Sequence, residues 1–280
     1  MGTSNLYKGP KGSSLLPADY TGDSNERPIE DTPVEKEQSE TGEKEKEDNP
    51  EQEESQKESA TRVSWTQAKR TFSNEIGNRS PNVRLIAKNY TKASGGYKHA
   101  ARTSTSSKRI ARGIITLFSG SPSNIRRHIE QSGIIFEGRS AQDIFNDIYT
   151  YLSTGSASRE DAIADRALSQ TFSELFESDL MNYQSLEMFT PELLEFMVSH
   201  FVTNSIFYRL LNEVAFGELT GDKSTADITT IESDLKTFID GVVSGRLTEH
   251  LYEGVTQHEI SRFVDDLYED CYKVMEELAK

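Results

Sequence analysis

Several things are scarce in this chain, and each shortage excludes something. One cysteine, Cys271, occurs in 280 residues. No intramolecular disulfide can form and no cysteine-based zinc site is available, as suits a reducing cytoplasm. No apolar run approaches the ~20 residues that a membrane-spanning helix needs. The opening Met1-Gly2-Thr3-Ser4-Asn5-Leu6 lacks the basic and apolar regions of a signal peptide. It also places Leu6 where a myristoylation signal wants Ser or Thr. Hydrophobic residues make up 34%, below the usual globular share, and mean hydropathy is −0.63. Part of the chain is therefore expected to lack a packed core. A soluble cytoplasmic protein without a membrane partner is the expectation.

Catalytic signatures are missing too. There is no phosphate loop, no Gly-rich dinucleotide fingerprint and no Gly-x-Ser-x-Gly elbow. The histidines are His99, His128, His200, His250 and His258, and none has another at i+3 or i+4, so no helix offers a paired metal face. His200, in an apolar stretch, reads as a satisfied core histidine. Glu259, Asp265, Asp266, Glu269 and Asp270 resemble a carboxylate cluster. On a helix, however, Arg262–Asp266 and Glu269–Lys273 are i, i+4 surface pairs, and the run reads as a solvated face. Cys271 stands among carboxylates that would raise its pKa, against a nucleophilic role. A non-enzymatic protein with no metal and no cofactor is expected.

What is present is segregated charge. The net charge is −15. Residues 21–60 carry 15 acids and 5 bases, residues 61–130 carry 14 bases and only Glu75 and Glu130, and residues 131–280 carry 28 acids and 10 bases. Between Thr21 and Ala60 the only aliphatic side chains larger than alanine or proline are Ile29 and Val34, and there is no aromatic. Such a segment cannot offset an ordering cost of roughly 1–2 kcal/mol per residue, and it reads as a disordered acidic linker. Residues 1–20 differ: Leu6, Tyr7, Leu15, Leu16 and Tyr20 alternate with Gly9-Pro10, Gly12 and Pro17. Apolar anchors between turn-formers suit a peptide gripped by a partner, and they equally fit a frayed terminus.

From Thr61 onward the periodicity is helical, and nine helices can be counted within an expected bundle of about seven to nine. Ser64 and Asn82 are expected N-caps, with Gly95-Gly96 ending the second helix. A third is expected to run unbroken from Ala100-Ala101 through Ile110 and Ile114 to Phe118, and a short one spans Ser123 to Gln131. Ile144, Phe145, Ile148, Tyr151 and Leu152 read as a core-facing stripe. Ser158 and Asp161 open the helix that carries Ile163, Leu168 and Phe172. The helix from Pro191 is apolar nearly all round and is expected at the centre of the core, and Ile228, Ile231, Leu235, Phe238, Ile239 and Val242 mark the next, weakened at Gly241 and Gly245. The last has a heptad-like seam of Ile260, Val264, Leu267, Cys271, Val274 and Leu278, too short for a coiled coil and expected to pack on the domain. The fold class is all-α: a patterned peptide (1–20), a linker (21–60) and a helical domain (61–280), basic over 61–130 and acidic over 131–280.

The basic part has a candidate binding set: Lys98, Arg102, Lys108, Arg109, Arg112, Arg126 and Arg127, with Tyr90 and Tyr97 nearby. These could track a phosphate backbone, Arg109 and Arg112 sharing a face. Alternatively the segment docks on the chain's own acidic helices or on an acidic partner, as a pI near 4.9 suggests.

Several motifs carry a resemblance. They are Met1-Gly2-Thr3-Ser4, Gly9-Pro10-Lys11-Gly12 and Leu15-Leu16-Pro17, then Asn89-Tyr90 to Gly95-Gly96 with Ala100-Ala101-Arg102. Last come Asp161-Ala162 to Ala167-Leu168 and Phe172-Ser173-Glu174-Leu175. In order and combination they resemble the QatB family, the B component of the four-gene Qat anti-phage defence system of bacteria. The resemblance implies three partners: an ATPase, an enzyme similar to that making the deazaguanine nitrile precursor of queuosine, and a TatD-like nuclease. It further implies that a 7-deazaguanine is joined to an N-terminal glycine, here Gly2 after loss of Met1. Thr3, Ser4, Leu6, Tyr7, Leu15 and Leu16 would then be held by that enzyme. The alternatives are a nucleic-acid-binding module using residues 98–127, or an adaptor that activates the ATPase or the nuclease.

Overall fold

The computed structural model describes residues 63–155, 158–178, 191–215, 223–247 and 256–277. The tail peptide with Gly2, Thr3, Ser4, Leu6, Tyr7, Leu15 and Leu16, the linker, and Leu278 of the seam lie outside them. Among the described residues there are ten helices and no strand. They are α1 (Trp65–Glu75), α2 (Val83–Ala93), α3 (Tyr97–Thr103), α4 (Thr105–Phe118), α5 (Pro122–Gln131), α6 (Ala141–Leu152), α7 (Arg159–Glu177), α8 (Pro191–Val214), α9 (Thr225–Ser244) and α10 (Gln257–Glu277).

Their starts follow from local chemistry. Ser64, Asn82, Ser140, Ser158 and Ser224 each place a side-chain oxygen on a backbone N–H of the first turn. Such a cap satisfies a donor that the helix itself cannot. Helix α2 ends at Gly95-Gly96, whose φ angles of 93° and 87° only glycine adopts without strain.

Helix α8 is the axis of the core. Leu194, Met197, Val198, Phe201, Val202, Ile206 and Leu210 are all buried, and α7, α9 and α4 pack around it. Helix α10 lies against α2, α3 and α4 and buries Ile260, Val264, Leu267, Cys271, Tyr272 and Met275. The heptad-like seam thus packs on its own domain. Acidic α10 on basic α3 and α4 also means that the two charge blocks interleave in space.

Two expectations are corrected. The helix expected to run unbroken to Phe118 is two, because Ser104 leaves helical geometry at φ −81° and ψ 46°. This is why ten helices replace the nine counted from periodicity. Tyr151, placed on the core stripe of α6, is 55% exposed. At 100° per residue the buried Ile144, Ile148, Leu152 and Phe145, with the packed Tyr149, centre about 90° away from Tyr151. Tyr149 takes the inward place and meets Phe172 edge-on at 5.7 Å.

Candidate functional site

The break at Ser104 is held from below. Arg209 of α8 reaches up to donate from Nη2 to Thr103 Oγ1 at 2.7 Å and from Nη1 to Ser104 Oγ and Ala100 O. Ser104 Oγ in turn donates to Ala100 O at 3.0 Å and lies 3.4 Å from Tyr272 Oη. Glu160 of α7 sits 3.7 Å from the same guanidinium. At the other end of α3, the Tyr97 N–H donates to Glu276 Oε2 of α10 at 2.8 Å. A seven-residue helix is thereby tied at both ends to α8 and α10.

This short helix forms one wall of an open cleft of about 710 Å³, lined by Gly95, Lys98, His99, Ala101, Arg102 and Lys108 on one side and by Asp265 and Glu269 of α10 on the other. His99 is oriented by its Nδ1, 2.6 Å from Ser94 O. Lys98 and Arg102 are exposed and form no ion pair among the described residues. Lys108 is nearly covered, with 12% of its side chain exposed, and its ammonium lies 2.8 Å from Asp265. Arg112, one turn further along α4, donates from Nη2 to both Asp265 oxygens at 2.9 Å.

The seven basic residues singled out from sequence therefore separate into groups. Lys98, Arg102 and Lys108 share the cleft. Arg112 is spent on Asp265. Arg109 is exposed outside the cleft lining. Arg126 pairs with Glu130 at 2.9 Å and lies over the Phe136 ring, and Arg127 donates to Asn124 Oδ1. The carboxylate run on α10 also divides. Arg262 and Asp266 form the expected exposed pair at 4.0 Å, whereas no Glu269–Lys273 pair occurs among the described ion pairs. Glu269 faces the cleft instead.

A second polar cluster lies between α7, α8 and α9. The Glu174 carboxylate accepts from His200 Nδ1 at 2.7 Å, Gln170 Nε2 at 3.0 Å, Asn204 Nδ2 at 3.2 Å and Lys236 Nζ. Burial alone would push its pKa up, but the hydrogen bonds from His200, Lys236 and Gln170 hold it down at about 2. His200 is satisfied, as expected, yet it is no core residue. A third of its side chain is exposed, it stacks on Phe196 at 3.8 Å, and it lines a cleft of about 360 Å³ with Thr203, Ser233, Lys236, Thr237 and Asp240. Cys271 is buried, and burial, then Asp270, raises its thiol to about 12. Among the described residues no three His, Cys, Asp or Glu side chains are grouped as metal ligands. No described helix is long and apolar enough to cross a membrane.

Sequence reasoning passed over Arg209, Glu276 and Glu174. Arg209 did leave a signal: it is the only Lys or Arg between Pro191 and Val214, and a lone cation in an apolar helix has to find buried partners.

The described residues thus form an all-helical body in which a broken basic helix is clasped by acidic neighbours. A family profile described as the Qat anti-phage system associated protein QatB matches residues 95–275. The chain belongs to that family, and it is a component of an anti-phage defence system. No curated protein and no solved structure shows a match to it.

Proposed function

We propose that this chain is a non-enzymatic protein partner within the Qat system, whose N-terminal glycine receives a 7-deazaguanine from the system's queuosine-synthesis-like enzyme. Membership of the QatB family over residues 95–275 supports the defence role. The observation that carries the finer reading is the layout of the N-terminus. Gly2 is small enough for removal of Met1, and its free amine is a nucleophile at the tip of a patterned peptide. Leu6, Tyr7, Leu15 and Leu16 supply anchors for an extended docking mode, and Thr3 and Ser4 supply polar neighbours. The charged stretch at 21–60 separates that peptide from the helical part by forty residues of sequence. The system's ATPase and TatD-like nuclease are the further partners, and a bacterial cytoplasm is the compartment in which all of them meet.

Intact mass of the protein made with and without the queuosine-type enzyme tests this reading. The expected result is a gain of one deazaguanine group after loss of Met1, only when the enzyme is present, and no gain in Gly2→Pro. An unchanged mass with the enzyme present, or a modification that survives Gly2→Pro, overturns it.

A further inference from the structure

The separation of charges around the Ser104 break has a physical meaning. On an unbroken helix, Lys98, Arg102, Arg109 and Arg112 would fall within about 80° of arc, since each residue advances 100°. Such a linear cationic stripe is suited to tracking a polyanion. The break dismantles it. Lys98 and Arg102 converge with Lys108 on one cleft, Arg109 is left outside, and Arg112 is consumed by Asp265. Opening a helix forfeits backbone hydrogen bonds, and here the Ala100 carbonyl accepts instead from Arg209 of α8 and from Ser104 Oγ, while Tyr272 of α10 lies against the Ser104 hydroxyl. The cleft is thus specified by long-range contacts.

Its chemistry is two-sided. One wall offers the exposed cations Lys98 and Arg102 without ion pairs, and the other offers Glu269, equally without one among the described residues. A continuous phosphodiester chain laid along it would run past the Glu269 carboxylate, which no cation offsets among the described ion pairs as Lys108 and Arg112 offset Asp265, at a repulsive cost. A lone nucleotide would find a single aromatic ring in the lining, the imidazole of His99 already tied to Ser94 O, with only Ala101 and Gly95 as apolar members, and so no platform on which a base is held from both sides. A peptide rich in Glu or Asp with an interspersed Lys or Arg meets both walls with the correct sign, and electrostatic complementarity of this kind sets register and partner choice.

We infer that the cleft between α3, the start of α4 and α10 is a docking site for an acidic, mixed-charge peptide segment of a partner protein. Lys98 and Arg102 hold its carboxylates and Glu269 receives its basic side chain. This site is independent of Gly2, so it stands or falls apart from the conjugation proposed above.

Fluorescence anisotropy on the full chain tests it. The probes are a labelled dodecapeptide of repeating Glu-Glu-Lys, an all-Glu dodecapeptide and an oligothymidylate of the same length, at low and raised salt. The Glu-Glu-Lys peptide is expected to bind most tightly, and salt should weaken it because exposed charges are screened over about 10 Å at 0.1 M. Lys98→Glu with Arg102→Glu should weaken binding about tenfold or more, equivalent to ~1.4 kcal/mol. Arg109→Glu, outside the cleft, should cost less. Glu269→Lys should weaken the Glu-Glu-Lys peptide and strengthen the all-Glu one. If the reversed pair melts early, Lys98→Gln with Arg102→Gln carries the same comparison. The inference is overturned by absent peptide binding, by oligothymidylate binding more tightly than either peptide, or by indifference to the cleft substitutions.

Discussion

Arg209 shows how much a single residue can organise. Its guanidinium is largely buried and answers to Thr103, Ser104, Ala100 and Glu160 at once. Replacing it by Met removes the cation but leaves Glu160 and the two hydroxyls half-satisfied in the interior. Breaking a buried pair from one side costs about 3 kcal/mol or more, and Arg209→Met should lower the free energy of unfolding by that order in urea titration. Glu174 makes a prediction in pH. Its folded-state pKa, about 2, lies below the ordinary 4.5, so the native state binds the proton less readily than the unfolded chain. The resulting stabilisation is fully present above pH ~4.5 and is lost as pH falls towards 2. Urea midpoints followed from pH 6 downward should fall less steeply in Glu174→Gln than in the unaltered chain. A parallel descent of the two would show that the carboxylate is not held down by His200, Lys236 and Gln170.

At the scale of elements, helix α6 tests the corrected stripe. Ile148 is wholly buried and Tyr151 is 55% exposed. Ile148→Ala should cost about 3 kcal/mol through lost burial and the cavity left behind. Tyr151→Gln should stay within about 0.5 kcal/mol, as surface substitutions do. Thermal melting of the two variants separates them clearly. The existence of nearly every helix was legible in the sequence, because capping residues and apolar periodicity are local signals: Ser64, Asn82 and Ser158 cap where expected. The break at Ser104 was not legible. Nothing between Ala100 and Ile110 is a glycine or proline, and the residues that stabilise the interruption come from more than a hundred positions away. Tyr151 misled for a smaller reason, since a position seven residues on lies at the margin of the face.

For the molecule as a whole, the separate charge blocks become one interleaved structure in which Asp265 neutralises Lys108 and Arg112 at 47% exposure. Asp265→Asn should cost only about 1 kcal/mol, as a half-exposed pair allows. It should also release two cations beside the cleft, so binding of an all-Glu peptide should rise while the melting temperature changes little. An unchanged affinity would mean that Lys108 and Arg112 do not face the cleft's contents. Family membership rests on the helical body over residues 95–275, and all the residues that line the candidate cleft lie within that span.

Composition and pattern by themselves determined that the described residues are helical, that α8 is at their core and that the N-terminal sixty residues differ from them in composition. They did so because burial, capping and solvation are decided by residues close together in sequence. The list of candidate cations was also there, from Lys98 to Arg127. Only the tertiary structure decided which of them are free. An ion pair such as Arg112–Asp265, or a guanidinium that holds a helix open from 105 positions away, depends on how helices pack, and packing brings together charges that the sequence keeps apart.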